Sequence, residues 1–424
     1  MKKYINLFLS HPLIKGTTII FVGGTITSLL MYAFTIFILG RFFIASDFGT
    51  YSALMAFLSI FGIFSSTFTM SFTKYAAMYK AQEDSQKMNI LFASGFRFVT
   101  LFSTILLILL CLSITLFSSF LQIPDIRLLI LTFLSLFLTI LVSLPIGTLT
   151  GEMRLYTLSL VNIANPIFKI IIGFLLLFFG WKIFGVTIAV FISSLLTFIF
   201  LLILFRKRYS TQVVSRHDQH IFLREFKKYS FQFFLSSIGI TILTSADILF
   251  VKHYFSPVEA GQYAAISLMG RSIFYLTAPI LSVFFPLIAQ KIEKKENIHT
   301  TLFLASALIT LASVTLSFIY FLFPTVILRI FFPGQEYKSL TSYLGPYSLY
   351  TIIFSLMMLF NNFLLAIGKS EVYKINLLVA GLFVILMYLF HTSFYQVIGV
   401  LFGTSLLLLV LHLLYYVKTY HARK

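Results

Sequence analysis

The sequence of 424 residues has little charge and a single cysteine. Charged residues make up 10% of it, whereas soluble domains contain about 25%. With 59% hydrophobic residues and only 13 acidic ones, the composition excludes a water-soluble globule and also a disordered chain, which needs the opposite composition. The one cysteine, Cys111, excludes an intrachain disulfide and a cysteine-based metal site. The chain must therefore be solvated mostly by lipid.

Motifs for nucleotide binding and for catalysis are also missing. Gly368-Lys369-Ser370 resembles the end of a phosphate-binding loop. That motif needs a glycine five residues before Gly368, where Phe363 stands. His217 and His220 lie three residues apart in a basic segment, a pattern typical of solvated side chains rather than of metal ligands. We therefore expect no cofactor, no metal and no transport powered by ATP within this chain.

Long apolar segments dominate the sequence. A helix needs about 20 apolar residues to cross about 30 Å of hydrocarbon. Twelve segments meet this requirement, and short turns near Gly151 and Gly180 separate the two closest pairs. The sequence thus predicts an all-α polytopic membrane protein with 12 transmembrane helices. The predicted spans are Gly16–Leu39, Tyr51–Phe72, Leu91–Leu116, Leu128–Leu149, Leu155–Gly180, Ile183–Phe205, Tyr229–Tyr254, Gln262–Ala289, Thr300–Phe323, Tyr343–Ile367, Val372–His391 and Val397–Val417.

The net charge of +18 is unevenly distributed among the loops. If the spans alternate, most of the 31 lysines and arginines fall on one side, which the positive-inside rule assigns to the cytoplasm. We therefore predict a multi-pass protein of a bacterial cytoplasmic (inner) membrane with both termini cytoplasmic. Its cations are expected to contact anionic lipid rather than nucleic acid. The opposite loops are short, which argues against an enzyme such as a glycosyltransferase, polymerase or ligase.

Similar segments recur in the two halves of the chain. Asp47–Ala53 and Glu259–Ala265 share acid, glycine, tyrosine and alanine positions 212 residues apart, and Gly151–Tyr156 resembles Gly368–Tyr373. Six spans form each half, so the repeats are parallel. This layout is typical of transporters that bind a substrate between two lobes and expose it alternately. The predicted parts are an N-terminal lobe of residues 1–205, a basic cytoplasmic linker of residues 206–228 and a C-terminal lobe of residues 229–424.

Seven short segments form a recognisable pattern along the chain. They are Lys15-Gly16, Leu39-Gly40-Arg41, Asp47–Ser52, Ala246–Leu249, Glu259–Ala265, Gly270-Arg271 and Phe284-Phe285-Pro286. The pattern resembles the MOP superfamily, and within it the polysaccharide or O-antigen (Wzx-type) flippases. The resemblance implies a MATE-like two-lobed bundle that moves a polyprenyl-pyrophosphate-linked oligosaccharide from the cytoplasmic to the outer leaflet for surface polysaccharide assembly. It also implies a glycan polymerase or ligase as a downstream partner.

The MATE exporters share the fold that this resemblance implies. An H⁺- or Na⁺-coupled exporter of small organic compounds is therefore the alternative function. Charges inside the predicted spans help to decide between the two, because an ionised side chain at mid-bilayer costs at least about 2.5–3.5 kcal/mol.

Lys169 is the deepest of these charges. Asn162, Asn165, Lys169 and Gly173 follow one helical face at intervals of three or four residues. Such a stripe of polar and small residues predicts contact with water or with a polar interior. Pro166 can kink the helix there. We hypothesise that Lys169, Asn162 and Asn165 bind the pyrophosphate or the glycan. The alternative is a lysine that bonds the carbonyls of a neighbouring helix.

Arg271, Arg97 and Asp247 are the other charges inside spans. Arg271 resembles the arginine that lipid-pyrophosphate flippases of this superfamily carry early in the same helix, which implies a substrate contact. Snorkelling to the headgroups is the alternative for both Arg271 and Arg97. Asp247 either binds a coupling H⁺ or Na⁺ or neutralises Lys252 or Arg271. Three cations against one acid favour an anionic lipid pyrophosphate over a cationic drug.

Overall fold

The computed structural model describes residues 12–206, 216–293, 296–369 and 371–421. Within these ranges the chain is helical and contains no strand, because in lipid each segment must satisfy its own backbone polar groups. The predicted all-α fold is confirmed. The helices are α1 (Pro12–Ala33), α2 (Ala45–Phe61), α3 (Ile63–Ala81), α4 (Ser85–Leu112), α5 (Ile114–Phe120), α6 (Ile126–Gly151), α7 (Leu155–Phe178), α8 (Lys182–Arg206), α9 (Arg216–Tyr254), α10 (Pro257–Glu293), α11 (His299–Leu322), α12 (Pro324–Phe331), α13 (Thr341–Ala366), α14 (Val372–Leu389) and α15 (Phe394–His421).

Eleven candidate membrane spans, judged by length and composition, occur among the described residues. They match the predicted spans in chain order except for the eighth. The eighth predicted span, Gln262–Ala289, lies inside α10, which is one continuous helix. The chain is therefore a multi-pass membrane protein, and the predicted count of twelve spans is approximately confirmed.

The two closest turns of the prediction are present in the structure. Helix α6 ends at Gly151 before α7 begins at Leu155, and α7 ends at Phe178 before α8 begins at Lys182. Gly180 has a φ of +79°, a left-handed conformation that glycine adopts without steric cost. The first predicted span is less regular, because a π-helix, Phe34–Leu39, follows α1. Short π-helical segments are frequent at functional sites.

Aspartates begin two of the helices. The side chain of Asp84 accepts a hydrogen bond from the backbone N–H of Lys87 (2.8 Å) at the start of α4, and that bond lowers the pKa of Asp84. Asp125 accepts from the backbone N–H of Arg127 (3.1 Å) at the start of α6. The guanidinium of Arg127 also donates to Asp125 (2.9 Å) and is the main cause of the lowered pKa of that carboxyl. Both aspartates satisfy N–H groups that a helix start leaves without partners.

The described residues form two compact units. Unit 1 comprises the described parts of residues 1–35 and 61–234, and unit 2 comprises those of residues 36–60 and 235–424. Each predicted lobe is one continuous stretch of the chain, whereas each unit combines two stretches, so two segments are assigned differently. Helix α2 belongs to unit 2, and the beginning of α9 belongs to unit 1. Because α9 begins at Arg216, the second half of the predicted linker is helical.

Packing within each unit explains this exchange of segments. In unit 2, Gly49 of α2 lies so close to α10 that a Cβ added at Gly49 would overlap the backbone of Gly261. Small residues permit such a close approach of two helices. In unit 1, Phe226 of α9 packs against Phe68 and Phe72 of α3. Periodicity along one helix does not reveal such partners, so the sequence could not predict the exchange.

Candidate functional site

An ion pair lies inside unit 2. Arg271 of α10 places Nη2 at 2.6 Å from Oδ1 and 2.8 Å from Oδ2 of Asp247 in α9. The hydroxyl of Tyr263 donates a third hydrogen bond to Oδ2 of Asp247 (2.9 Å). Asp247 is fully buried, and the side chain of Arg271 is 19% exposed. The carboxylate thus has both charge compensation and hydrogen-bond donors within its own unit.

Tyrosines of α13 surround this ion pair. The Tyr347 hydroxyl lies 2.9 Å from Oγ of Ser267, and the Tyr347 ring packs edge-on against both Tyr263 and Tyr350. Tyr347 and Tyr350 are buried. The region therefore resembles a satisfied polar core, in which the hydroxyl groups stabilise two opposite charges.

Lys169 has a different environment in unit 1. Its side chain on α7 is 8% exposed. Within the part of the chain that the structure describes, its ammonium group forms no hydrogen bond and no ion pair. A buried charge without a partner is costly, and no described residue compensates the charge of Lys169.

The other members of the predicted stripe on α7 have separate roles. Nδ2 of Asn165 donates to the backbone carbonyl of Ser193 (3.2 Å) and to Oγ1 of Thr197 (2.9 Å), both on α8. The backbone carbonyl of Asn162 accepts from Oγ1 of Thr27 on α1 (3.0 Å). The Asn162 side chain is half-buried. Asn165 therefore joins α7 to α8 through its side chain, whereas Asn162 contacts α1 through its backbone carbonyl.

Arg97 is not part of a buried cluster. Its side chain is exposed on α4 and forms no hydrogen bond or ion pair with another described residue. Of the three cations predicted inside the spans, one is thus exposed, one is paired with Asp247 and one, Lys169, is buried and unpaired. Of these three cations, Lys169 is therefore the one that is buried without a partner among the described residues.

Sequence reasoning missed a buried cation in unit 2. Lys252 of α9 is 1% exposed, and its Nζ donates to Oγ1 of Thr50 in α2 (3.1 Å). The sequence did mark the position of its partner, because Thr50 belongs to the repeated segment Asp47–Ala53. His412 was missed as well. It is the one ionisable residue in the apolar run 401–414 of the last span, where an ionisable side chain is a functional candidate by default.

The sequence profile of one family covers most of these residues. Described as "Polysaccharide biosynthesis protein", it matches residues 13–292. The chain belongs to this polysaccharide biosynthesis family. The match includes Lys169, Asp247, Arg271 and Arg97, and it stops before α11. No curated protein sequence matches the chain.

Solved structures show that this family member has the fold of MATE and MOP transporters. The inward-facing conformation of a multidrug resistance MATE family transporter of the MOP superfamily gives a TM-score of 0.73 at 14% identity, covering 93% of this chain and 95% of that one. A MOP superfamily transporter from Pyrococcus furiosus, with a binding pocket described as of reverse polarity, gives 0.66 at 14% identity, with 97% and 96% covered. The eukaryotic MATE transporter AtDTX14 gives 0.66 at 15% identity, with 95% and 96% covered.

At these identities the similarity concerns the fold alone. The predicted resemblance to the MOP superfamily is confirmed by the fold and by the family together. The family places the chain in polysaccharide biosynthesis, and the fold is the one that MATE and MOP transporters have.

Proposed function

We propose that this protein flips a polyprenyl-pyrophosphate-linked oligosaccharide from the cytoplasmic to the outer leaflet of a bacterial inner membrane, by alternating access and with both termini cytoplasmic. The observation that carries the proposal is the buried, unpaired ammonium group of Lys169. A pyrophosphate supplies the missing counter-charge through charge-assisted hydrogen bonds. A cationic drug would instead add a second positive charge at this position.

The remaining predicted site residues fit this substrate to different degrees. Asn162 lies two helical turns before Lys169 on the same face of α7, and its side-chain amide has no hydrogen bond to a described residue, so it can bind phosphate or sugar oxygens. Arg271 contributes only if its bond to Asp247 opens, because the carboxylate already compensates its charge. Arg97, being exposed on α4, fits a first contact with an anionic headgroup. The glycan product would then pass to a polymerase or ligase.

The membrane potential favours this direction of transport. With the cell interior negative, each anionic charge that moves outward gains about 2.3 kcal/mol per 100 mV. The two negative charges of a lipid pyrophosphate therefore make export favourable without ATP. A coupling ion on Asp247 would add to this driving force. If Asp247 serves that purpose, Asp247→Asn removes any dependence of transport on pH or Na⁺, and an unchanged dependence rejects the role.

The test is transport in proteoliposomes that contain a fluorescent polyprenyl-pyrophosphate oligosaccharide and, in parallel samples, a cationic dye. We expect the lipid to cross and the dye to stay. Lys169→Met, which keeps the buried volume but removes the charge, should abolish most lipid transport, whereas Lys169→Arg should retain part of it. Lys182→Met, at an exposed lysine of α8, is the matched control and should transport normally.

One outcome rejects the proposed function, and another rejects only the role of Lys169 in it. If the dye crosses and the lipid does not, the protein is a MATE-like exporter. If the lipid crosses equally well in Lys169→Met and in the wild type, the protein is a flippase whose substrate is bound elsewhere.

A further inference from the structure

Three polar side chains from three helices meet inside unit 2. Nδ2 of Asn376 on α14 donates to Oδ1 of Asn361 on α13 (3.0 Å), and Nε2 of His412 on α15 lies 2.9 Å from Oδ1 of Asn376. We name these residues the amide–imidazole cluster. All three are buried, and His412 has no exposed surface at all. On a further side, Gly239 of α9 lies against the backbone of Asn376.

The hydrogen bonds determine which nitrogen of His412 carries the proton. Asn376 donates through Nδ2 to Asn361, so the Asn376 oxygen that faces the imidazole is an acceptor. Nε2 of His412 must therefore be the donor, and in the neutral ring Nδ1 has a free lone pair. Nδ1 is buried and has no hydrogen-bond partner among the described residues. Nδ1 of His412 is thus a basic atom of the cluster that accepts no hydrogen bond from a described residue.

No charged side chain shares this position with His412. Residues 356–367 of α13 and 233–245 of α9, which lie beside the cluster, contain no ionisable side chain. Within six residues of Asn376 and of His412, the titratable groups on α14 and α15 are Tyr373, Lys374, Tyr415, Tyr416 and Lys418, and His299 at the start of α11 contacts Tyr416. None of these groups bonds the imidazole within the described part of the chain, and Lys374 pairs with Glu371. A charge change at His412 is therefore uncompensated in this arrangement.

The cluster lies close to one end of its helices. Asn361 stands five residues before the end of α13, and Asn376 stands four residues after the start of α14. At 1.5 Å per residue, the cluster is about 6–8 Å from the turn that joins these helices. The predicted topology puts that turn in the cytoplasm. Along the helix axes, the cluster thus lies closer to the predicted cytoplasmic face than to the opposite face.

We propose that His412 is a proton-binding site that couples lipid flipping to the proton gradient, an inference that rests on the proposed function. Uptake forms one N–H bond at Nδ1 and leaves an imidazolium, whose Nε2–H bond to Asn376 becomes charge-assisted. In the present structure the new Nδ1–H group has no acceptor among the described residues. The proton therefore binds when water reaches Nδ1 and leaves, toward the cytoplasm, when the cluster closes.

Asp247 is the weaker candidate for this role. Its carboxylate already accepts hydrogen bonds from Arg271 and Tyr263, so a proton would have to displace an existing bond. Nδ1 of His412 has no such bond to lose. Asp247 and His412 have no hydrogen-bond partner in common, so each can be substituted and tested separately.

The first experiment measures flipping of the fluorescent lipid-linked oligosaccharide with an imposed pH gradient and a clamped membrane potential. For one proton per lipid, a gradient of one pH unit shifts the leaflet distribution by up to about tenfold. His412→Gln keeps an amide donor for Asn376 but cannot be protonated. It should flip lipid in response to the potential and lose the response to the pH gradient. His299→Gln, at an exposed histidine, is the control and should keep that response.

A gradient response that persists unchanged in His412→Gln overturns the proposal and leaves the cluster with a packing role. Asn376→Asp provides a second variant in which the histidine stays. A carboxylate beside Nε2–H favours the imidazolium, so the pH response should move to higher pH. If Asn376→Asp responds at the same pH as the wild type, His412 is not the titrating group.

A second measurement separates this proposal from the proposed function. Ring-¹⁵N NMR of histidine-labelled protein in nanodiscs, compared with His412→Gln, identifies the His412 signals without any substrate. We expect Nδ1 to be unprotonated at neutral pH and to take up a proton as the pH is lowered. If no variant flips lipid, the proposed function fails but this titration still tests the site. If His412 never titrates while lipid is flipped, only the proton site fails.

Discussion

Asp247 and Arg271 form a buried ion pair across the consecutive helices α9 and α10, in which one guanidinium nitrogen reaches both carboxylate oxygens. Tyr263 completes the coordination of the carboxylate. The pair removes one acid and one base from the charges that a substrate or an ion would meet. Among the described residues, Lys169 is a buried cation with no hydrogen bond and no ion pair, whereas the buried Lys252 bonds the hydroxyl of Thr50.

Removing one member of this pair should destabilise the protein strongly. Asp247→Asn leaves the guanidinium of Arg271 in a largely buried position without its counter-charge, a change that costs about 3–5 kcal/mol. Arg271→Gln should cost a similar amount, and the double variant less than the sum of the two. Unfolding midpoints of the wild type, the two single variants and the double variant, all in one detergent, measure these losses of stability. Additive losses would mean that the two side chains do not interact. Lys374→Gln, in the exposed pair with Glu371, is the control and should change little.

The close approach of α2 and α10 leads to a second prediction. An added Cβ at Gly261 would overlap the carbonyl of Ala45, and one at Gly49 would meet the backbone of Gly261. Backbone atoms cannot move aside as a flexible side chain can. Gly261→Ala should therefore lower the free energy of unfolding by about 1–3 kcal/mol or more. Gly399→Ala, where no atom lies within 4 Å of the added Cβ, should be neutral or slightly stabilising because alanine favours helices. Equal effects of both substitutions would contradict the observed contact.

Asn162 and Asn165 provide a matched pair of variants on α7. Asn165→Ala removes two hydrogen bonds to α8, and interhelical bonds in membranes contribute about 0.6 kcal/mol on average. It should therefore lower stability slightly and reduce transport only through that loss. Asn162→Ala should leave stability unchanged and reduce flipping of the lipid-linked substrate. Thermal unfolding and initial transport rates, measured on the same preparations, separate the two. The reverse pattern would assign substrate contact to Asn165.

The bond between Asp125 and Arg127 makes stability depend on pH at the start of α6. Because the folded-state pKa of Asp125 is lowered, the ionised carboxylate stabilises the folded protein at all pH values above the usual aspartate pKa of about 3.9. That contribution disappears as the pH falls through the lower folded-state pKa. We expect Asp125→Asn to be less stable than the wild type at pH ~6 and to differ less from it at pH ~3. A constant difference in unfolding midpoint across this range would show that the carboxylate charge does not matter.

Much of the architecture follows from the sequence alone. Long apolar runs can satisfy their backbone polar groups in lipid only as helices, so the helices and the turns near Gly151 and Gly180 were predictable. The segments around Asp47–Ser52 and Gly270-Arg271 were sufficient to indicate the superfamily. The stripe through Lys169 was also visible, because a helical face is determined by spacing within one segment.

Contacts between helices were decided only by the tertiary structure. Spacing along α9 shows the face on which Asp247 lies but not that Arg271 stands opposite, and spacing along α4 does not show that Arg97 is exposed rather than buried. The same reason hid the amide–imidazole cluster, whose members come from three helices. The sequence determined which side chains enter the membrane region. Only packing decided which charges are paired and which, like that of Lys169, have no partner among the described residues, because pairing depends on distances between residues far apart in the chain.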